Sequence, residues 1–254
     1  MRNRAWPLLA LLAPLAVLAL AVACGDDDGE ALSQATNRPA TTAARSGQPT
    51  ASVAPANPSP STQPAQCQPP SGTAPEPNMK KYDKKPDTLI DAAKSYTATV
   101  KTVRGDFTIK LRPDLAPQHV NSFVFLARDH YFDGVTFHRV LPGFVAQTGD
   151  PTGAGSGGPG YSIPLEPSAE PFVRGVLGMA RAGDPNSAGS QWFVTLGDAL
   201  FLNDLKLPLD KRYTVFGEVT QGMVVVDCIA PRDPSRNPNA PAGDKIIAVE
   251  IQES

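Results

Sequence analysis

Two short blocks of this sequence hold residues that could do chemistry together. The first is Phe137-His138-Arg139-Val140-Leu141-Pro142-Gly143-Phe144-Val145-Ala146-Gln147-Thr148-Gly149-Asp150. It sets Arg139, Phe144 and Gln147 at close spacing, with no acid–base pair suited to proton transfer. The second comprises Gly178-Met179-Ala180-Arg181-Ala182 and then Gly189-Ser190-Gln191-Trp192-Phe193-Val194. A guanidinium is a cation with a rigid fork of donors, and a carboxamide both donates and accepts. Such a set can grip and polarise a neutral group without a nucleophile, metal or cofactor. No zinc-ligand spacing, G-x-S-x-G or carboxylate pair stands out elsewhere. Gly153-Ala154-Gly155-Ser156-Gly157-Gly158 fits the dinucleotide fingerprint, but Pro159-Gly160 follows it. That fingerprint works only between a strand and a helix N-terminus, so nucleotide binding is not expected.

The elements that must position these residues are mostly short strands. Tyr96 to Val103 alternates and is rich in β-branched residues. Arg104-Gly105-Asp106 then turns the chain, and Phe107 to Leu111 alternates again as the second arm of a hairpin. Pro113 to Pro117 breaks the pattern. His119 to Arg128 places Val120, Phe123, Val124 and Ala127 on one helical face. Asp133-Gly134 leads into a strand over Val135–Val140. Further strands are expected at Gly178–Ala180, Gln191–Thr195, Thr214–Val219 and Lys245–Ile251, with a short apolar helix over Met223–Ile229. Short strands with two helices and Gly-rich turns argue a mainly β fold, a barrel capped by helices.

From about Tyr96 to Ile251 the chain resembles the cyclophilins, the peptidyl-prolyl cis–trans isomerases. The resemblance implies an eight-stranded antiparallel closed β-barrel with a helix at each end. It also implies a reaction, rotation about the bond before proline, and proline-containing polypeptides as partners. That rotation must break amide resonance, a barrier of about 18–20 kcal/mol. In the twisted state the proline nitrogen regains its lone pair. A donor aimed at it stabilises the transition state more than either ground state. Arg139 matches the arginine given this role in the family.

The other positions carry over one at a time. Phe144 and Phe193 match the aromatics of the proline pocket, and Val145 stands where methionine is common. Gln147 and Gln191 match the polar residues that hold the acyl side. The backbone of Arg181 matches a peptide-binding position that is often Asn, and Ala180 and Ala182 keep the groove floor low. His138 has no role here, because isomerisation moves no proton. The sequence departs from the family between Ala199 and Tyr213, where Trp-Leu-Asp-Gly-Lys-His is common. In the register that keeps the spacing to Val215-Phe216-Gly217, Leu209 is the pocket leucine and Tyr213 replaces the histidine. No tryptophan is available there unless Phe201 fills its place, which leaves cyclosporin binding in doubt. Two functions compete: an isomerase, or a proline-peptide binding module with little turnover. Fold alone does not choose, but the retained Arg139 favours the enzyme.

Composition divides the chain of 254 residues. Arg2, Arg4 and the apolar run from Trp6 to Ala23 form an export segment over residues 1–23. It reads as a cleaved signal, an uncleaved anchor or a lipoprotein signal. Cys24 after Ala21-Val22-Ala23 favours lipid attachment at Cys24. All three readings place the domain outside the cytoplasmic membrane, and the favoured lipoprotein reading anchors it to the outer face. Residues 24–78, rich in Pro, Ser, Thr and Ala, read as a disordered tether. Residues 79–95 form a lead-in with a helical turn or two over 87–93. Residues 96–254 form the domain, long enough to bury a core without disulfides. Cys67 and Cys228 could pair in an exported protein, but the favoured reading is a free linker thiol and a small buried side chain. The net charge of −2 and the absence of a basic stripe exclude nucleic acid. No heptad or apolar stripe calls for an oligomer, so a monomer is expected.

Overall fold

The computed structural model describes residues 67–198 and 213–254. They belong to one compact unit. The export segment, Cys24, the tether up to residue 66, Phe201 and Leu209 lie outside the described residues.

The alternation at the start of the domain becomes a hairpin. In β1 (Tyr96–Thr102), Tyr96, Ala98, Val100 and Thr102 are buried and the residues between them are not. β2 (Gly105–Leu111) pairs with it antiparallel, with Thr102 opposite Gly105 at the turn. Then follow α1 (Pro117–Arg128), β3 (Arg139–Leu141), β4 (Val145–Thr148), β5 (Val176–Met179), β6 (Trp192–Thr195), β7 (Val215–Gln221), α2 (Met223–Asp227) and β8 (Ile246–Glu253). Pro117 opens α1, where its missing N–H costs nothing. The Glu166 carboxylate accepts hydrogen bonds from the amides of Gln118 (3.1 Å) and His119 (3.0 Å), which would otherwise lack partners. It also meets His119 Nδ1 at 2.6 Å. The inward face of α1 carries Phe123, whose ring lies 5.8 Å from Trp192 and 5.5 Å from Phe216. All three rings are buried, so the helix and the sheet share one core.

The eight strands form one antiparallel sheet in the order β3-β4-β6-β5-β7-β2-β1-β8. The expected closed barrel is corrected to a sheet curled until its edges nearly meet. The outer strands, β3 and β8, share no ladder. Just ahead of them the seam is joined by the bridge Thr136–Lys245 and by bonds from Phe137 N to Asp244 O and from Ile246 N to Val135 O, both 2.9 Å. The reason lies between α2 and β8. Arg232 takes the free edge of β3, exchanging backbone bonds with Val140 at 2.7 and 2.9 Å. The stretch after it holds Pro234, Pro238 and Pro241, which have no N–H to give a ladder.

The lead-in is a strap laid along the curled sheet, and residues 67–78, read above as tether, also make contacts with it. Cys67 forms a disulfide with Cys228, with 5.2 Å between the Cα atoms. This overturns the reading of two separate cysteines. Ser71 N binds Val103 O at 2.7 Å and Arg104 donates to Gln68 O at 3.3 Å, which brings Cys67 to the end of α2. Further along, Lys80 pairs with Asp129 at 2.8 Å and the Tyr82 hydroxyl donates to the same carboxylate at 2.6 Å. The helix expected over 87–93 does not form. Asn121 on α1 accepts from the amides of Leu89 (2.7 Å) and Ile90 (3.2 Å) and donates to Asp87 O (3.0 Å), and the chain then makes a single turn closed by Lys94 N to Asp91 O at 3.0 Å.

Candidate active site

The site grows from one row across four strands. Arg139 on β3 lies opposite Gln147 on β4, Gln147 opposite Phe193 on β6, and Phe193 opposite Gly178 on β5. Directly opposed residues in antiparallel strands project to the same face, so the two sequence blocks meet there. Gly178 is what lets Phe193 lie in the row. A Cβ at Gly178 would stand 2.2 Å from the Phe193 ring and 2.7 Å from Phe172. Phe193 stacks on Phe172 at 5.6 Å and meets Tyr213 edge-on at 5.7 Å. Val145, Val176 and Val215 complete a small apolar cluster under these rings.

Above the cluster is a cavity of about 100 Å³ lined by Arg139, Phe144, Val145, Gln147, Ala180, Arg181, Phe193 and Tyr213. The Arg139 guanidinium lies 5.5 Å from the centre of the Phe144 ring. It also donates to Gln147 Oε1 at 3.3 Å. Gln147 Nε2 donates to Gln191 Oε1 at 3.0 Å, and Gln191 Nε2 donates to the carbonyls of Gly155 (3.0 Å) and Gly157 (2.9 Å). The glycine-rich loop is itself pinned from below. Asp150 accepts from Thr152 N and Oγ1 (both 2.8 Å), Gly155 N (2.6 Å) and Gly157 N (3.0 Å). Burial raises the Asp150 pKa, but these hydrogen bonds outweigh it and hold the group below the usual carboxylate range. Thus a cation rests on a fixed amide chain at the mouth of an apolar cavity. Beside it, burial pushes the His138 imidazole pKa down.

A second depression of about 550 Å³ adjoins the cavity and shares Gln147, Ala180 and Arg181 with it. Ala182 and Gln191 line this groove rather than the cavity. Arg181 places its guanidinium 5.2 Å from the centre of the Tyr213 ring and donates to Ala182 O at 2.8 Å. The structure therefore brings together every candidate site residue of the domain except Leu209, which lies outside the described residues. Sequence reasoning missed Phe172, which follows Pro171 in a loop with no periodicity to expose it. It also set aside the glycine-rich loop, whose carbonyls anchor Gln191. Among the described residues, no group of three His, Cys, Asp or Glu side chains could hold a metal.

Residues 97–251 match the family model for the cyclophilin type peptidyl-prolyl cis-trans isomerase/CLD. The chain belongs to that family. A probable peptidyl-prolyl cis-trans isomerase of Brucella suis is 44% identical over 168 residues, covering 61% of this chain and 82% of the relative. A peptidyl-prolyl cis-trans isomerase of Helicobacter pylori is 41% identical over 160 residues, covering 61% of this chain and 91% of the relative. The crystal structure of a Cryptosporidium parvum cyclophilin type isomerase superposes with a TM-score of 0.53 at 27% identity, covering 63% of this chain and 99% of that one. The same protein was also solved in the presence of the dipeptide Ala-Pro, and that structure superposes with a TM-score of 0.53 at 28% identity, covering 62% of this chain and 99% of that one. This cyclophilin is accordingly an enzyme of the isomerase class. The matched span starts at 97, so the strap from Cys67 to Ser95 stands outside it.

Proposed function

We propose that this cyclophilin isomerises X-Pro bonds in exported or cell-envelope proteins, with Arg139 as the catalytic group. The observation that carries the reading is the Arg139 guanidinium, braced by Phe144 and Gln147 at the mouth of the cavity. The proline ring enters the cavity between Phe144, Val145 and Phe193. Gln147 and Gln191 hold the acyl carbonyl while the other side of the bond turns. Tyr213 takes the place of the family's histidine in the pocket wall. As the amide twists, the guanidinium donates to the proline nitrogen, an interaction present only near the transition state. No proton is transferred, and no metal or cofactor is called on. Work on exported proteins is supported by the apolar N-terminal run with Cys24 behind it. The disulfide between Cys67 and Cys228 supports it too, since such bonds persist in oxidising compartments. Lipid on Cys24 would hold this monomer at the outer face of the membrane.

The test is an NMR-exchange or protease-coupled isomerase assay on the full chain beside Arg139→Ala. Loss of one transition-state donor is expected to lower kcat/KM about 10²–10³-fold. Circular dichroism should be unchanged and proline-peptide binding retained. A folded wild-type chain that binds such peptides without accelerating exchange would leave the binding module as the function.

A further inference from the structure

The groove beside the cavity has a wall that the family match does not include. Lys81, from the strap, lines it together with the glycine-rich loop. The ammonium donates to Gly158 O. Its neighbours hold it in place. Lys80 and Tyr82 both bind Asp129, and Tyr82 N donates to Pro159 O at 2.8 Å. The Tyr82 ring packs at 5.0 Å on Phe125, 6.1 Å on Tyr131 and 6.2 Å on Tyr161. The opposing loop accommodates this approach through Gly160 (φ +99°), where a Cβ would stand 2.7 Å from Tyr82 O. Lys81 is thus a cation on an anchored segment. Among the described residues lining the groove, the charged ones are Lys81 and Arg181.

We infer that Lys81 is a specificity-determining residue: the strap gives the groove a preference for peptides with Asp or Glu flanking the proline. The inference rests on the groove continuing the proposed proline site, with which it shares Gln147, Ala180 and Arg181. A peptide whose proline occupies the cavity runs into the groove, and its flanking side chain comes under the Lys81 ammonium. A carboxylate there is attracted and a lysine repelled. The attraction is that of an exposed pair and weakens as salt shortens the screening length.

The experiment uses the full chain and four matched proline peptides, with Glu or Lys placed either before or after the proline. An alanine parent peptide serves as reference. Wild type is expected to favour the Glu over the Lys peptide in kcat/KM about three- to tenfold at low ionic strength on one side of the proline, falling towards unity in high salt. Lys81→Gln should shrink that ratio and Lys81→Glu should invert it. Circular dichroism checks that both variants fold. A wild-type ratio near one on both sides, or a ratio that Lys81→Glu leaves in place, overturns the inference. Turnover of the alanine peptide reports separately on the isomerase reading. If no peptide is turned over, the same ratios read as Kd by NMR titration decide the role of Lys81.

Discussion

Gly178 sits in the row that carries Arg139, Gln147 and Phe193 and has no room there for a side chain. It lies opposite Phe193, and a Cβ there would meet that ring at 2.2 Å. The ring is hemmed in by Phe172 and Tyr213, so its way out is into the cavity it lines. Gly178→Ala is therefore expected to cost about 1–3 kcal/mol in stability by overpacking. It should also reduce kcat/KM for a proline peptide about tenfold, mostly through KM. Thermal melting and the isomerase assay check both, and wild-type turnover in the variant would show that Phe193 does not shape the pocket. At this scale the sequence is legible where function gathers unlike residues at short spacing, as in Phe137 to Gln147. It is not legible where a wall arrives from a distant loop. Phe172 belongs to no periodic segment, and the partners of Gln191 are carbonyls, which no side-chain pattern can display. Lys81 is hidden for the same reason, because only the folded strap brings it to the groove.

Elements with their own periodicity were readable, and those made by their neighbours were not. The β1–β2 hairpin and the α1 face follow from alternation and helical spacing, and they form where expected. β4 has four residues, too few to show a period, and is a strand because β3 and β6 pair with it on either side. The strap looks like linker because its apolar residues are few. Its attachment uses backbone bonds, the Asn121 amide, the Asp129 carboxylate and one disulfide. The disulfide spans a sequence separation of 161 residues, so it constrains a long stretch of the unfolded chain. Cys67→Ser is expected to lower unfolding stability by about 2–5 kcal/mol. Reductant should lower the melting temperature of the wild type to that of the variant and leave the variant where it is. A wild type indifferent to reductant would mean that the strap is held by its other contacts alone.

In the described domain a curled sheet wraps the core, and three ionisable groups, the buried Asp150 and His138 and the half-buried Glu166, tie stability to pH in the same direction. Asp150 and Glu166 are both held below the usual carboxylate range. For each, burial acts the other way and is outweighed by hydrogen bonds, from Gly157, Thr152 and Gly155 to Asp150 and from His119 and Gln118 to Glu166. A carboxylate with a depressed folded pKa stabilises above its unfolded pKa and loses that stabilisation as pH falls through the folded value. Burial lowers the His138 pKa, so below its ordinary 6.5 the unfolded chain takes up a proton that the folded imidazole resists. Each group binds more protons when unfolded, and stability must rise with pH across the acid range. The denaturant midpoint is expected to be level near neutrality, to decline gently below about pH 6.5, and to fall more steeply below about pH 4.5. Asp150→Asn keeps the size of the side chain but leaves it a single acceptor oxygen for the amides of the glycine-rich loop. It should cost about 1–3 kcal/mol at neutral pH and make the acid limb shallower. The loop it would loosen holds Gln191, and through Gln147 the guanidinium of Arg139. Turnover should therefore fall along with stability, though less than in Arg139→Ala. Midpoints that stay level from pH 7 down to pH 4 would remove these groups from the account of what holds the site in place.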